Sequence, residues 1–400
     1  MRILKTVQAY EPFREMGGAV VKVRAIAHGL ARRGHRLTIL TADLGLNKRD
    51  STSDGFVSSR WGREATHEGV RAVYLPTRAC YRALTWNPAV GRFAAENLRE
   101  FDVVHIYGLY DLLGPSVAKS CRALGIPYVI EPMGMFCPIV RNIALKRLYH
   151  KALGEKMIRG ARYLIATSPQ EQADLAAASI PTDKIILRRN GLEFPPSFPA
   201  EGTFRSQWKI PPRAALVLFL GRVVSKKSPD LLLEAFAAWR KQSPRGADAI
   251  LVIAGPEEGD GYQSQLRRLA SRLGIAERVI FIDALYDEAK WAAYRDADVF
   301  VLPSQNENFG NSAGEAVAAG VPVILTNRCG IAPLLENRAA VVIPHGREEL
   351  TAAMHALLDT SALRAQLAAG CAEVARSLTW AQPLTEMEKL YACMIFPEAG

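Results

Sequence analysis

The chain has 400 residues, too many for one ordinary hydrophobic core and suited to two domains. Hydrophobic residues make up 49% and charged residues 22%, as in a globular protein. No apolar run is long enough to cross a membrane, and no signal-peptide pattern opens the chain. The net charge of +10 attracts polyanions; without a nucleic-acid motif, phosphorylated substrates and anionic lipid are left. Six scattered cysteines (80, 121, 137, 329, 371 and 393) form no CxxC pair. They read as free thiols in a cytoplasmic protein, not as a disulfide framework or zinc site.

In chain order, Ile3–Val7 reads as a strand and Val20–Arg33 as a helix, with Val20, Val23, Ala27, Leu30 and Ala31 on one face. Gly34-His35 is a turn. Strands are predicted at Leu37–Leu40, Val70–Leu75, Val103–Ile106, Tyr128–Ile130, Tyr163–Ala166 and Ile185–Leu187. Between the fifth and sixth, residues 141–162 carry eight basic side chains against one acid, Glu155, with Leu145, Leu148, Ala152 and Tyr149 as an apolar face. Such a helix either rests on an anionic leaflet or packs on the core with a solvated basic face. Three prolines between Phe194 and Gly202 mark an interdomain linker. The pattern then restarts, with strands at Leu216–Leu220, Ile250–Ala254, Val279–Ile282, Val299–Leu302 and Val323–Leu325 and a helix at Asp230–Trp239. Alternating strands and helices of this kind build parallel, doubly wound sheets. The expected domains are residues 1–195 and 203–378, with a final helix in 379–400 that packs back on the first.

The chemistry concentrates after Val299–Leu302, where Pro303-Ser304 leads into Glu307, Asn308, Phe309, Gly310, Asn311, Ser312 and Glu315. A strand ends, a loop carries one carboxylate and a helix start carries the second. Ligands of parallel sheets sit there, beyond the carboxyl ends of strands and facing helix N-termini. Backbone N–H groups after Phe309 suit a phosphate, and a carboxylate accepts two hydrogen bonds from a diol. Ser312 and Glu315 also have the spacing of a capping box, which would explain Glu315 without a ligand. No such duty is evident for Glu307. Gly221, Arg222 and Lys227 follow the first strand of the second half. Two cations at a helix entry, where acids are usual, fit a diphosphate or else a basic surface loop. Gly17-Gly18 lies between the first strand and first helix, where a backbone approaches a ligand or simply turns. His105 is read as ending a strand, either as a structural histidine or facing a sugar.

With these residues in place, the chain resembles a retaining glycosyltransferase of family 4 with the GT-B fold. The likeness rests on Gly17-Gly18 with Gly34-His35, Ala166-Thr-Ser-Pro169 with Glu171, Asn190-Gly191, Gly221-Arg222 with Lys227, Ala254-Gly255-Pro256, and Pro303-Ser304 through Glu307 to Glu315, in family order over most of the chain. It implies two Rossmann-like parallel-sheet domains facing across a cleft, the first for the acceptor and the second for a nucleotide diphosphate sugar. Arg222 and Lys227 would hold the diphosphate and Glu315 the ribose hydroxyls. Glu307 would sit beside the transferred sugar, the catalytic set being Glu307, Arg222 and Lys227. Phe309, Gly310, Asn311, Ser312, Gly17, Gly18, Pro256, Ile282 and Ala284 would border the donor. It implies no metal or other cofactor, since the cations and a helix N-terminus meet the diphosphate charge. The chain departs from the family at Glu131-Pro-Met-Gly-Met135, where many relatives have Pro-His-Gly or Pro-Arg-Gly. Met133 cannot do acid–base work, so Glu131 becomes the polar candidate there, beside His105.

The expected reaction moves a hexose from a UDP- or GDP-sugar to a saccharide or lipid-linked saccharide with retention, in cell-surface polysaccharide or lipopolysaccharide assembly. The enzyme would be cytoplasmic and peripheral to the membrane through 141–162, with no nucleic-acid partner. A nucleotide-sugar epimerase and a non-catalytic sugar-nucleotide binding protein are the competing readings.

Overall fold

Every apolar run predicted as a strand is one in the computed structural model, which describes residues 1–12, 18–44, 55–81, 84–136, 147–257, 259 and 261–396. The chain divides into two units, Met1–Gly191 with Trp380–Gly400, and Leu192–Thr379.

The strands of the first unit are β1 (Arg2–Thr6), β2 (Arg36–Ala42), β3 (Val57–Ser59), β4 (Gly62–His67), β5 (Val70–Leu75), β6 (Ala79–Tyr81), β7 (Leu84–Trp86), β8 (Val103–Tyr107), β9 (Tyr128–Glu131), β10 (Tyr163–Ala166) and β11 (Ile185–Leu187). Nine of them form one sheet in the order β11-β10-β9-β8-β1-β2-β5-β4-β3, while β6 and β7 pair as a separate hairpin. The pairs from β11 to β5 are parallel, and β4 and β3 add an antiparallel edge. In β1, β8 and β9 nearly every residue is buried, as in a sheet covered on both faces. β4, second from the edge, escaped prediction because only Ala65 of its six residues is buried, and a strand this open to solvent carries no apolar run.

The second unit holds β12 (Leu216–Leu220), β13 (Ile250–Ala254), β14 (Val279–Ile282), β15 (Val299–Leu302), β16 (Val323–Thr326) and β17 (Ala340–Ile343). They form an all-parallel sheet in the order β14-β13-β12-β15-β16-β17. The order reverses between β12 and β15. Phe194 and Phe198, in the proline-rich stretch, pack edge-on against Trp291 and belong to this unit.

The final helix, Ala381–Ile395, lies against the helix Gly18–Arg32. Leu384 fills the space a side chain at Gly29 would occupy. Glu388 ties the two by accepting from Arg33 at 2.6 Å and pairing with His35 at 2.9 Å.

The basic stretch is described from residue 147 onward; Arg141, Leu145 and Lys146 lie outside the described residues. Its buried side is Gly154, Met157 and Ile158. That corrects the expected apolar face: Leu148 is 64% exposed, Ala152 is exposed beside Lys151, and Tyr149 instead donates to the Asp111 carbonyl at 2.6 Å. At the helical repeat, Leu148 and Ala152 stand on the side of the helix away from Gly154, Met157 and Ile158, so they face away from the core. Among the described residues no helix is long and apolar enough to cross a membrane. Cysteines 80, 121, 329, 371 and 393 are free thiols, and Cys137 lies outside the described residues.

Candidate active site

All strands of the second sheet run one way, so the loops after β12, β13, β14 and β15 leave a single edge. The loops after β12 and β15 flank the point where strand order reverses, which is where an open parallel sheet leaves a crevice for ligand. Backbone bonds stitch that edge together. Gly221 N–H donates to the Ala254 carbonyl (2.9 Å), Val223 to Pro256 (2.9 Å), Gly255 to Ile282 (3.1 Å) and Gln305 to Lys226 (2.8 Å). Gly221, at φ +153°, lies beside Lys227, whose Nζ is 3.3 Å from where a side chain would start. Glycine therefore leaves room for the ammonium.

Lys227 ends a 3₁₀ turn before the helix Pro229–Gln242 and is almost wholly buried. Its ammonium meets Glu307 Oε2 at 2.7 Å. Burial works to raise the Glu307 carboxyl, but Lys227 outweighs it, with help from Lys226 and Arg222, and holds it below the usual carboxylate range. Glu307 therefore has a structural tie that its sequence context did not reveal. Its own backbone is pinned too, donating to Arg328 O (3.0 Å) and accepting from Gly330 N–H (2.9 Å). Arg222 is exposed on the same loop as Lys227.

The helix Asn311–Ala318 starts directly after Gly310, which caps it in the left-handed region at φ 106°. That corrects the capping-box reading. Ser312 is already the second helical residue, and the Glu315 carboxylate is engaged elsewhere. Lys290 Nζ reaches Oε1 at 2.8 Å and the Tyr294 hydroxyl donates to Oε2 at 3.0 Å. The Ala313 N–H already donates to the Gly310 carbonyl at 3.0 Å, while those of Asn311 and Ser312 precede the first bond of the helix, so the turn is suited to an anion. Of the other donor candidates, Gly310 is buried, and Asn311, Ser312 and Ala284 are partly exposed. Pro256 is exposed on the loop after β13, Ile282 is buried at the end of β14, and the Phe309 ring is buried in the core. Among the described residues no three His, Cys, Asp or Glu side chains converge as metal ligands.

In the first sheet the strand order reverses between β1 and β8. Gly18 begins the helix that follows β1, and Gly17 lies outside the described residues. His105 is the middle residue of β8 and fully buried, not at a strand end facing solvent. It stacks on Tyr107 at 3.9 Å, and its Nδ1 meets the Tyr391 hydroxyl at 2.7 Å. Glu131 is also fully buried. It pairs with Lys22 and with Arg188 (2.8 Å), and lies 3.6 Å from His105. Lys5 completes the cluster, donating to the Tyr107 (2.8 Å) and Tyr391 (3.1 Å) hydroxyls. Neither His105 nor Glu131 has surface with which to meet a sugar, because the strands that carry them run through the interior. The loop after Glu131 does reach the surface. Met133 is partly exposed in the left-handed region at φ 57°, and Glu171 steadies its neighbour by accepting from Gly134 N–H at 2.5 Å.

Both halves of the chain match known families. Residues 17–191 match the family described as glycosyl transferase 4-like domain, and residues 201–373 the one described as glycosyl transferases group 1. The D-inositol 3-phosphate glycosyltransferase of Streptomyces scabiei is 30% identical over 328 residues, covering 78% of this chain and 72% of that protein. The chain belongs to the group 1 glycosyltransferases of family 4. Two solved structures share the architecture. They are Anabaena HepE in complex with UDP and glucose (TM-score 0.75, 16% identity, 98% of this chain and 99% of that one) and sucrose-phosphate synthase from Thermosynechococcus elongatus (TM-score 0.73, 20% identity, 98% of each). The fold is GT-B, and the enzyme is a hexosyltransferase.

In this glycosyltransferase the partners of the candidate residues were not legible in the sequence. Lys290 and Tyr294 stand about twenty residues before Glu315, and only the packing of two helices brings them to it. Lys22 and Arg188 come to Glu131 from opposite ends of the first unit. His105 yields a testable pH effect. Burial, then Lys5, lowers its imidazole pKa to about 3. The unfolded chain protonates it near 6.5, so between about pH 6.5 and about pH 3 only the unfolded state takes the proton. Stability present above pH ~6.5 is therefore lost on acidification, at up to ~1.4 kcal/mol per pH unit for one group. Urea unfolding followed from about pH 6.5 to about pH 5 should show this slope, and His105→Gln should flatten it by one proton; an unchanged slope would refute the assignment.

Proposed function

We propose that this glycosyltransferase moves a hexose from a nucleotide diphosphate sugar to a saccharide or lipid-linked saccharide with retention of configuration. One observation carries the reading. The Lys227–Glu307 pair, Arg222, the Gly310-capped helix and Glu315 all stand on the two loops, and the helix after the second of them, at the point where the strand order of the second sheet reverses. That set holds cations and the N–H groups of a helix start for a diphosphate beside carboxylates for hydroxyls. Arg222 and Lys227 neutralise the departing diphosphate, so no metal is required there. Glu315 takes the ribose hydroxyls and Glu307 lies by the hexose. Because Glu307 is already bound to Lys227, it is not a free nucleophile. The departing phosphate itself takes the acceptor proton while the sugar passes through an oxocarbenium-like centre. UDP is the favoured nucleotide, since HepE, of the same fold, is described in complex with UDP.

The first unit holds the acceptor. Exposed Leu148 and Leu153 among Arg147, Lys151 and Lys156 support contact with an anionic bilayer, and with it a lipid-linked acceptor in cell-surface polysaccharide assembly. A thermal-shift panel of UDP-, GDP- and ADP-sugars tests the donor assignment. A ligand at about 100 times its Kd adds ~2.7 kcal/mol, so one nucleotide family should raise the melting temperature by several degrees. Release of nucleoside diphosphate should then require a saccharide acceptor. No shift with any sugar nucleotide, or epimerised donor in the absence of acceptor, refutes the reading.

A further inference from the structure

Glu315 is held from one side by a single helix. Lys290 and Tyr294 are four residues apart on the helix Asp287–Asp296, hence on one face, and each takes a different oxygen of the carboxylate. Tyr294 is fully buried, with its ring set edge-on to Phe300 at 5.6 Å and tilted on Trp291 at 5.8 Å, so its hydroxyl cannot swing away. Lys290 is partly exposed, and its ammonium lies 4.7 Å from the centre of the Trp291 ring. Each carboxylate oxygen can accept two hydrogen bonds, so after Tyr294 and Lys290 have taken one apiece, one place is left on each. Two adjacent acceptor sites on one carboxylate match the two hydroxyls of a vicinal diol. A hydroxyl also accepts, and an ammonium has three N–H groups, of which Glu315 uses one.

Resting on the nucleotide reading above, we infer that Tyr294 is a positioning residue for Glu315 and that Lys290 is a specificity residue, donating to the ribose 2′-hydroxyl whose proton Glu315 accepts. The pocket then reads the 2′-hydroxyl as both donor and acceptor. A 2′-deoxy nucleotide forfeits both bonds of that hydroxyl, and the Lys290 ammonium keeps only its bond to Glu315. Burial and the Glu315 charge raise the Tyr294 hydroxyl well above its ordinary pKa, which keeps it a donor throughout.

The test is calorimetric titration of UDP against 2′-deoxy-UDP, or of GDP against its deoxy form if the panel shows GDP to bind more tightly. The unaltered protein should favour the ribonucleotide by roughly tenfold or more, the worth of one charge-assisted hydrogen bond. Lys290→Met keeps the aliphatic stem over Trp291. It should weaken the ribonucleotide and not the deoxynucleotide, bringing the two within about threefold of each other. Tyr294→Phe should narrow the same ratio. An unchanged ratio in Lys290→Met, or equal weakening of both nucleotides, overturns this inference and leaves the donor assignment intact. Failure of the unaltered protein to bind any nucleoside diphosphate overturns both.

Discussion

Replacing Lys227 with methionine should lower kcat for hexose transfer by roughly 10³-fold. The ammonium is a buried cation at the crevice edge of the second sheet, and on the proposed reading its stabilisation grows as the diphosphate departs with full charge. Removing one preorganised donor from such a site costs about 10²–10³ in rate, and losing a formal charge lies at the upper end. At ~1.4 kcal/mol per tenfold this is about 4 kcal/mol of transition-state stabilisation. Methionine keeps the stem beside Gly221, so the fold should persist. Glu307 loses the cation that holds its carboxyl down, and its pKa should rise toward or past the usual range. Single-turnover assays with and without excess donor separate the rate from the binding loss. A Lys227→Met protein with kcat within threefold of the unaltered enzyme would sink the catalytic assignment.

The second large effect is on stability. Glu131→Gln removes the carboxylate that pairs with Lys22 and Arg188, which with Lys5 are all fully buried or nearly so. Arg188 and Lys22 hold the Glu131 carboxyl far below its ordinary range in spite of its burial, and Lys5 is pushed well below the normal lysine value by burial and by Arg188. Breaking a buried pair by deleting one partner typically costs 3–5 kcal/mol, because the charge left behind has no compensation. For a unit of this size each kcal/mol moves the melting temperature by roughly 2–4 °C, so a drop of about 10 °C is expected. Scanning calorimetry reads it directly. Lys22→Met placed on top of Glu131→Gln should recover part of the loss, since it removes one stranded cation. A shift under about 2 °C for Glu131→Gln would mean that the charges are compensated in another way.

What the residues disclosed, and what they hid, follows from how information is spread along the chain. Central strands such as Leu216–Leu220 and Ile250–Ala254 are buried on both faces, so their type was legible in a run of apolar residues. Strand Gly62–His67 is polar and marginal, and was not. Strand Ala340–Ile343 is a short apolar run whose two middle residues are only partly buried, and it too passed unread. The site showed the same division. Glu307, Glu315, Arg222 and Lys227 could be singled out as candidates because each lies beside a strand end or helix start that the local sequence announces. Their partners were not found. The Lys227–Glu307 bond spans eighty residues, and the capping-box spacing at Ser312 and Glu315 was satisfied in sequence yet unused, because Gly310 had already started the helix. His105 misled for a related reason: an apolar run with one histidine does not reveal whether the strand continues past it, and β8 does, to Tyr107.

The first unit is assembled from two stretches of chain that synthesis separates in time. Residues 1–191 emerge before the whole of the second unit, and residues 380–400 after it. At a ribosomal rate of about 5–20 residues per second, roughly 10–40 s pass between them. Throughout that interval Lys5 and His105 lack the Tyr391 hydroxyl that each meets in the finished protein, and Gly29 lacks the Leu384 side chain that covers it. The nascent first sheet therefore waits with a polar core open on one side. The second sheet, whose strands are continuous in sequence, can close before its older neighbour does.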